Sequence, residues 1–305
     1  MSTARNLFAY VIVGDSQVPR LNESLQFLKT FVRCEVVVVA ARCNTPIEHD
    51  QIIRPHVDTR FDDHQASILL KTNLHRILGV QDTPGLTGCY LDSDIIAVDP
   101  EAGNIFSRKN GPVTFAADHT RLARFSRFAV RCPCSAGECD HLRQGIQEKF
   151  GIDVAEPDWQ HWNGGVYLFD SESMDFLDTW HDLTCRIFED SYWKTRDQGT
   201  LVATVWKHEL ELQPTLARNF NYIVDPFQGL SDSERMGIQP GSFHINTSYS
   251  LDGESSISRP CFLHMINGAI GASGWKNWDD VASLLVRMKA CGTAPQNVDH
   301  DSHGE

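Results

Sequence analysis

The first forty residues alternate between β-rich and helical patterns, and this alternation constrains the fold more than any other feature. Leu7–Val13 is an apolar run that ends at Gly14 and Asp15, as a buried strand ends in a turn. Asn22–Val32 has apolar residues at helical spacing, and Glu35–Val39 is a second apolar run. A strand, a helix and a strand in this order predict a parallel sheet with helices on both faces.

The same alternation continues through the rest of the chain. A helix is predicted over Asp63–Leu78, and residues 118–161, which show no clear periodicity, are predicted to be an irregular insertion. The other predicted elements are strands at 89–91, 95–98, 113–116, 165–169 and 261–264, and helices at 172–188, 198–207 and 278–289. We therefore expect an α/β fold with a Rossmann-like, mostly parallel sheet in a single domain over residues 1–292. A disordered acidic tail is expected over residues 293–305.

Charge and composition exclude several classes of protein. The 305 residues include 40 acidic and 27 basic side chains, and the net charge of −13 repels the phosphate backbone of nucleic acids. No apolar run reaches the roughly 18 residues that cross a bilayer, and the apolar part of Met1–Gly14 is too short for a signal sequence. Nine cysteines, an odd and scattered number, are typical of a reducing compartment. We expect a soluble cytoplasmic protein that has no transmembrane segment and binds no nucleic acid.

An acidic motif, Asp92-Ser93-Asp94, directly follows the predicted strand Gly88–Leu91. Two carboxylates at positions i and i+2 of extended backbone point the same way, and hard oxygen ligands suit Mg²⁺ or Mn²⁺. In open α/β sheets, ligands bind beyond the carboxyl ends of the strands, where this motif lies. Asp-Ser-Asp is equally typical of a simple turn, so the motif alone leaves both interpretations open.

Further motifs downstream decide between these interpretations. They are Asn163-Gly164-Gly165-Val166, Asp197-Gln198-Gly199, Asn219-Phe220-Asn221 and Phe262-Leu263-His264. With Tyr90-Leu91 before the acidic motif, the set resembles the retaining glycosyltransferases of the glycogenin and lipopolysaccharide galactosyltransferase type, which have the GT-A fold. The resemblance covers roughly residues 7–276 and depends on the order and spacing of the motifs rather than on any one of them.

The resemblance implies a metal-dependent hexosyltransferase that moves a sugar from a UDP-sugar to an unidentified acceptor. Asp92, Asp94 and His264 would hold Mn²⁺ or Mg²⁺ against the donor diphosphate, and the imidazole favours Mn²⁺. The metal would stabilise the negative charge of the leaving nucleoside diphosphate. For His264 taken alone, a packed or surface histidine is the alternative.

The resemblance also assigns roles to residues that surround the donor. Asp197 and Gln198 are implied to be catalytic, with Asp197 on the sugar hydroxyls and Gln198 near the anomeric carbon. The implied donor-binding residues are Gly14, Asp15, Lys71, Ser93, Asp118, Asn163, Gly164 and Lys276. An ordinary turn is the alternative for Gly14 and Asp15, a solvated lysine is the alternative for Lys71, and the spacing before Lys276 is longer than in the family. The sequence shows no paired carboxylates of the kind that retaining glycosidases use, so the resemblance implies a front-face displacement, with a short-lived covalent intermediate as the alternative.

A cysteine-rich segment has no counterpart in the resemblance. Cys132, Cys134, Cys139 and His141 lie within ten residues, and such N/S ligands can close a tetrahedral Zn²⁺ site. Free thiols are the alternative interpretation.

Four arginines precede that segment at helical spacing: Arg121, Arg124, Arg127 and Arg131. In the resembling family this region lies beside the acceptor site, so the arginines would recognise an anionic acceptor or, alternatively, pair with carboxylates of the chain. A further acidic motif, Asp62-Asp63-His64, is interpreted as the cap of the helix that follows it rather than as a metal site.

Other functions remain as alternatives. A sugar-nucleotide pyrophosphorylase would have a glycine-rich phosphate loop after its first strand, which Val13-Gly14-Asp15-Ser16 lacks. A phosphatase with an Asp-x-Asp nucleophile would place that motif on the first strand. A nucleotide-sugar-binding protein without transferase activity would need neither a complete metal site nor Asp197-Gln198.

Overall fold

A computed structural model describes residues 4–224, 235–239, 242–247, 256–266 and 286. Its strands, in chain order, are β1 (Arg5–Val13), β2 (Glu35–Ala41), β3 (Ile52–Ile53), β4 (Leu86–Leu91), β5 (Ile95–Ala97), β6 (Thr114–Ala117), β7 (Trp162–Phe169), β8 (Tyr222–Val224), β9 (Arg235–Gln239), β10 (Ser242–Thr247), β11 (Ser256–Ser258) and β12 (Phe262–Met265). Its α-helices are α1 (Val18–Phe31), α2 (Asp63–Thr72), α3 (Leu74–Ile77), α4 (Leu122–Ala129), α5 (His141–Phe150), α6 (Met174–Arg186) and α7 (Arg196–Lys207).

Within the described residues, six strands form a central sheet in the order β3-β2-β1-β4-β7-β6. The pairings β3–β2, β2–β1 and β1–β4 are parallel, and β7 is antiparallel to both β4 and β6. The predicted α/β fold with a mostly parallel central sheet is therefore confirmed. The parallel part ends at β4, so the carboxyl ends of β1 and β4 lie side by side at one edge of the sheet.

Both faces of this sheet are covered, because successive residues of a strand point to opposite sides. Phe8 and Ile12 of β1 pack in a core that includes Leu25 of α1. Leu7 and Val11 face the other way, into a core built with α2, α6 and α7. The apolar run at the start of the sequence thus reflects burial on both faces.

Residues 118–161 were predicted to be irregular, and this prediction is wrong. The segment contains α4 and α5, and α4 buries Leu122, Phe125 and Ala129 on one side. These positions have the i, i+3, i+7 spacing of an amphipathic helix with Arg124 and Arg127 between them, so the sequence contains the pattern that predicts α4.

The helix predicted over Asp63–Leu78 is divided at Asn73 into α2 and α3. Asp62 caps α2: its carboxylate accepts from the backbone N–H of Gln65 at 2.7 Å, and the Gln65 side chain accepts from the N–H of Asp62 at 3.0 Å. This capping box confirms the interpretation of Asp62-Asp63-His64 as a helix start. Lys276, the helix predicted at 278–289 and the tail at 293–305 lie outside the described residues.

Two smaller sheets accompany the central one in the described part of the chain. β9, β10 and β11 form an antiparallel sheet, and β5, β12 and β8 form a sheet with β12 in the middle. In the second of these, His264 on β12 pairs with Ile95 on β5 and with Ile223 on β8. Because β5 begins directly after Asp94, this pairing brings His264 beside the acidic motif. No helix of the described residues is long and apolar enough to cross a membrane.

Candidate functional site

Asp92, Asp94 and His264 converge where the central sheet meets the sheet of β5, β12 and β8. The backbone N–H of Asp92 donates to the carbonyl of Gly165 on β7 at 2.9 Å, and the carbonyl of Asp94 accepts from Met265 on β12 at 2.9 Å. Nε2 of His264 lies 3.5 Å from Oδ1 of Asp94 and 3.9 Å from Oδ2 of Asp92. Backbone pairing therefore positions all three side chains.

This arrangement fits a divalent cation. The ligand atoms of Asp92, Asp94 and His264 lie within 4.8 Å of one another. A cation that binds each atom at about 2.1 Å requires ligand atoms roughly 3 to 4 Å apart, which these side chains reach with small movements. Two carboxylates and one imidazole suit Mn²⁺ and also accept Mg²⁺.

A chain of hydrogen bonds orients the imidazole. Nδ2 of Asn163 donates to Oδ2 of Asp118 at 3.0 Å, and Oδ1 of Asn163 accepts from the N–H of Gly165 at 2.9 Å. The same Oδ1 accepts from Nδ2 of Asn221 at 3.1 Å. Oδ1 of Asn221 then lies 2.9 Å from Nδ1 of His264.

The direction of this chain determines the tautomer of His264. A carboxylate only accepts hydrogen bonds, so the NH₂ group of the Asn163 amide must point toward Asp118. Each following amide is then oriented in turn, and Nδ1 of His264 must be the protonated nitrogen. In the neutral imidazole, Nε2 then has the lone pair and faces Asp92 and Asp94, so a cation bound there would replace the proton that the two carboxylates favour on Nε2. Burial alone would lower the pKa of His264, but the Asp94 and Asp92 carboxylates outweigh it and raise that pKa, so the position attracts positive charge.

The two oxygens of Asp92 have different partners. Oδ2 faces His264, whereas Oδ1 accepts from the hydroxyl of Tyr90 at 2.5 Å and lies 3.3 Å from Nζ of Lys71. Burial and the Asp92 carboxylate raise the pKa of Tyr90, so its hydroxyl stays protonated and donates. One oxygen is thereby held by the protein while the other faces the metal position.

Lys71, predicted to bind the donor, is buried rather than solvated. Its Nζ also lies 3.1 Å from Oδ2 of Asp197, in the first turn of α7. Burial alone would lower the pKa of Lys71, but Asp92 and Asp197 raise it above its ordinary value. Burial would raise the pKa of Asp197, and the Lys71 charge lowers it instead. Both groups are therefore charged, and Lys71 joins the metal ligands to the residue implied to be catalytic.

An open cleft of about 480 Å³ lies over this group. Its lining includes the end of β1, one face of α2, Tyr90, the acidic motif with Ser93, and Asp197. Its charged side chains are those of Arg20, Asp63, Lys71, Asp92, Asp94 and Asp197. Among the described residues of the lining, carboxylates thus outnumber cationic side chains, and this part of the cleft repels a diphosphate.

Gly14 and Asp15 lie at the end of β1 but do not line the cleft, whereas Ser16 and Gln17 do. The Asp15 carboxylate accepts from the backbone N–H groups of Asn44 and Thr45, at 2.7 and 2.6 Å. Gly14 has a φ of 80°, and a side chain there would collide with the carboxylate of Asp63. The hydrogen bonds of Asp15 and the lack of space for a side chain at Gly14 therefore give each residue a structural role.

Gln198, in the first turn of α7, is hydrogen-bonded to Gly164 of β7. Oε1 of Gln198 accepts from the N–H of Gly164 at 2.9 Å, and Nε2 donates to the carbonyl of Trp162. Gln198 thus attaches the first turn of α7 to β7 and keeps Asp197 in position. Its implied place at the anomeric carbon stays a prediction.

Asp118 is buried and heavily hydrogen-bonded. Besides Asn163, its carboxylate accepts from the N–H and hydroxyl of Thr120, both at 3.0 Å, and lies 3.1 Å from Nδ1 of His119. Burial would raise the pKa of Asp118, but His161, His119 and Asn163 lower it, so the carboxylate is ionised. Asp118 is hydrogen-bonded to Asn163 and is not among the residues that line the cleft.

The four arginines lie mostly at the surface: Arg121 is exposed and Arg127 is partly buried. Arg121 donates to the carbonyl of Asp158 at 2.9 Å and lies 3.3 Å from its carboxylate, and the guanidinium of Arg127 lies 4.5 Å from the ring centre of Phe128. Arg124 and Arg131 are exposed. The alternative of local pairing therefore accounts for Arg121, and recognition of an anionic acceptor stays a prediction.

Several residues of the site were not found from the sequence. Asn221 was noted only as part of a motif, yet it lies 2.9 Å from Nδ1 of His264 and orients that imidazole. Arg20, Tyr90 and Ser67 line the cleft without a prior assignment. Helical spacing placed Ser67 and Lys71 on one face of the predicted helix, which is the signal that could have found Ser67.

No protein-family model matches the sequence, and no curated protein matches it either. Among solved structures, the chain is similar to the crystal structure of mouse xyloside xylosyltransferase 1 in its apo form. The two are 11% identical, the alignment covers 87% of this chain and 99% of the other, and the TM-score is 0.49. The roles assigned below therefore depend on the geometry of this chain's own residues.

Gly165 tests the metal site without removal of a ligand. A β-carbon at this position would collide with Cε1 of His264 and with Oδ1 of Asn163. We expect Gly165→Ala to displace the imidazole and weaken Mn²⁺ binding by about 10- to 100-fold, as measured by isothermal titration calorimetry. Gly103→Ala is the matched control, because its β-carbon makes an ordinary 3.4 Å contact with Val32. Unchanged Mn²⁺ affinity in folded Gly165→Ala would contradict the assigned ligand set.

Proposed function

We propose that the chain is a metal-dependent glycosyltransferase that takes a sugar from a nucleoside-diphosphate sugar, with a UDP-sugar as the expected donor. The observation that carries the proposal is an acidic cleft whose lining includes Asp92 and Asp94, two members of a candidate cation site that His264 completes. A diphosphate cannot enter a cleft lined by Asp92, Asp94 and Asp197 unless a cation offsets their charge. The geometry supplies a place for that cation beside the cleft.

The metal, when bound, would stabilise charge on the departing diphosphate. Asp92 and Asp94 offer one carboxylate each, and His264 offers Nε2. Lys71 neutralises Asp92 and Asp197 from behind, so the carboxylates remain close together without a ligand. Asp197 lines the cleft, and its carboxylate would accept hydrogen bonds from donor hydroxyls.

The partners of the cleft carboxylates favour a front-face displacement with retention of configuration. Asp63 lies 3.1 Å from Arg42, Asp197 is ion-paired with Lys71, and Asp92 and Asp94 face His264. Among the described residues of the cleft, each carboxylate thus already has a cationic or ligating partner, unlike the nucleophile of a retaining glycosidase. The departing diphosphate would then assist the acceptor hydroxyl on the same face.

The same geometry supports the alternatives less well. A phosphatase nucleophile would lie at the end of the first strand, whereas the acidic pair follows β4. For a pyrophosphorylase, the turn after β1 would bind phosphate, but Asp15 in that turn instead accepts from Asn44 and Thr45. A binding protein without transferase activity would have no use for the buried ion pair of Lys71 and Asp197 next to the metal ligands.

Asp94→Ala tests the metal dependence. Loss of one ligand should lower Mn²⁺-dependent release of UDP from a UDP-sugar by on the order of 10³-fold, because the metal supplies several kcal/mol of charge stabilisation. Chelation of the wild type with EDTA should have a similar effect, and added Mn²⁺ should reverse it. The assay is UDP release across a panel of UDP-sugars, with the circular dichroism spectrum as the check of folding.

The matched control is Asp175→Ala, because the Asp175 side chain is 93% exposed on α6 and lies outside the cleft lining. That variant should keep wild-type turnover. Retained turnover in Asp94→Ala, or full activity in excess EDTA, would reject the proposed metal site. Formation of UTP from the UDP-sugar and added pyrophosphate would favour the pyrophosphorylase alternative, and release of inorganic phosphate from a sugar phosphate would favour the phosphatase.

The stereochemistry of the product tests the displacement. An α-linked donor should give an α-linked product, measured from the proton coupling constant of the new anomeric centre by NMR. A β-linked product would reject front-face displacement and the resemblance to retaining enzymes, while the proposal of a glycosyltransferase would stand.

A further inference from the structure

Three thiols and one imidazole meet between the end of α4 and the start of α5. Sγ of Cys132 lies 3.9 Å from Sγ of Cys139, and Sγ of Cys134 lies 3.8 Å from Nδ1 of His141. All four ligand atoms lie within 4.8 Å of one another, and the three cysteines are free thiols. The sequence spacing is Cys-x-Cys-x₄-Cys-x-His.

These distances match those of a tetrahedral zinc site. With Zn–S bonds of about 2.3 Å and a Zn–N bond of about 2.0 Å, the ligand atoms of a tetrahedron lie roughly 3.5 to 3.8 Å apart. The observed separations of 3.9 and 3.8 Å are close to these values, so an ion fits with little movement. A disulfide would need one pair of sulfurs in bonding contact and would leave the third cysteine and His141 unexplained.

The surroundings of the cluster also suit a thiolate site. Ser126 on α4 is fully buried, and its Oγ accepts from the N–H of Leu142 at 2.9 Å while it lies 3.3 Å from Sγ of Cys139. With that oxygen already accepting, the Ser126 hydroxyl hydrogen is available to donate to a Cys139 thiolate. Such second-layer hydrogen bonds are typical of metal-bound sulfur.

We propose that Cys132, Cys134, Cys139 and His141 bind one structural Zn²⁺. The closed set of four protein ligands leaves no position for substrate, so the ion would act on structure. Soft thiolates select zinc, whereas the carboxylates of Asp92 and Asp94 suit Mn²⁺ or Mg²⁺, so the two sites take different metals. The proposal is independent of the glycosyltransferase proposal.

The zinc would stabilise the segment that supports α7. The N–H of Cys139 donates to the carbonyl of Ala123, and the N–H groups of Lys194 and Thr195 donate to the carbonyl of Ala129, at 2.8 and 3.2 Å. Thr195 is the residue before α7, whose first turn contains Asp197. The ion would therefore fix α4, and through Ala129 the backbone that leads into the cleft.

The test is elemental analysis of the full chain, purified with a phosphine reductant and dialysed against a weak chelator. We expect about one zinc per chain, and the same content in Asp94→Ala, which removes a ligand only from the other site. Cys139→Ser should lose the zinc, whereas Cys185→Ser, at an exposed cysteine outside the cluster, should keep it.

Cobalt substitution provides a readout that does not depend on whether a variant folds. Co²⁺ in the wild type should show thiolate-to-metal charge-transfer absorption and the intense visible bands of a tetrahedral site, and stoichiometric Zn²⁺ should abolish both. The Asp92, Asp94 and His264 site has no sulfur and cannot produce the charge-transfer band. Protein without zinc, cobalt protein without that band, or a Cys132–Cys139 disulfide found by mass spectrometry under the same conditions would each overturn the proposal.

Discussion

The rest of the site compensates one repulsion, which acts among the carboxylates that line the cleft at the carboxyl ends of β1 and β4. Asp92, Asp94 and Asp197 line one cleft, and their charges cannot lie so close without compensation. Lys71 offsets part of this charge from α2, where the charges of Asp92 and Asp197 outweigh the effect of burial and keep it protonated. The remainder attracts a cation to His264, whose own pKa is raised by the same field. In the proposed function, the acidity of the cleft would therefore favour binding of a cation before a diphosphate.

Residues that are far apart in the sequence determine the geometry of this site. β12 lies between β5 and β8 in one small sheet and contains His264. Asp94 directly precedes β5, and Asn221 directly precedes β8. The hydrogen bonds from Asp118 through Asn163 and Asn221 then choose which imidazole nitrogen faces the metal position. The buried, ionised Asp118 thus orients the His264 imidazole without contacting it.

Much of this arrangement could be predicted because the patterns that encode it are local. The apolar run of β1 and the acidic motif after β4 can each be recognised from a few consecutive residues. The buried residues Leu122 and Phe125 of α4 also have helical spacing, so this helix could have been predicted from the same kind of local pattern. The role of Asn221 could not be predicted, because it depends on a partner, His264, that only the pairing of distant strands brings within 2.9 Å. Local patterns thus predict elements and candidate ligands, and the tertiary contacts decide what orients them.

The most direct test is electron–nuclear double resonance of Mn²⁺ bound to the protein in the presence of UDP, with ¹⁵N-labelled histidine. The account predicts hyperfine coupling from one imidazole nitrogen and from the phosphorus nuclei of the diphosphate in the same spectrum. The nitrogen coupling should disappear in His264→Gln, which keeps the β12 backbone that pairs with β5. Bound Mn²⁺ that shows no histidine coupling in the wild type, or none from phosphorus, would contradict a cation held by Asp92, Asp94 and His264 against a nucleoside diphosphate.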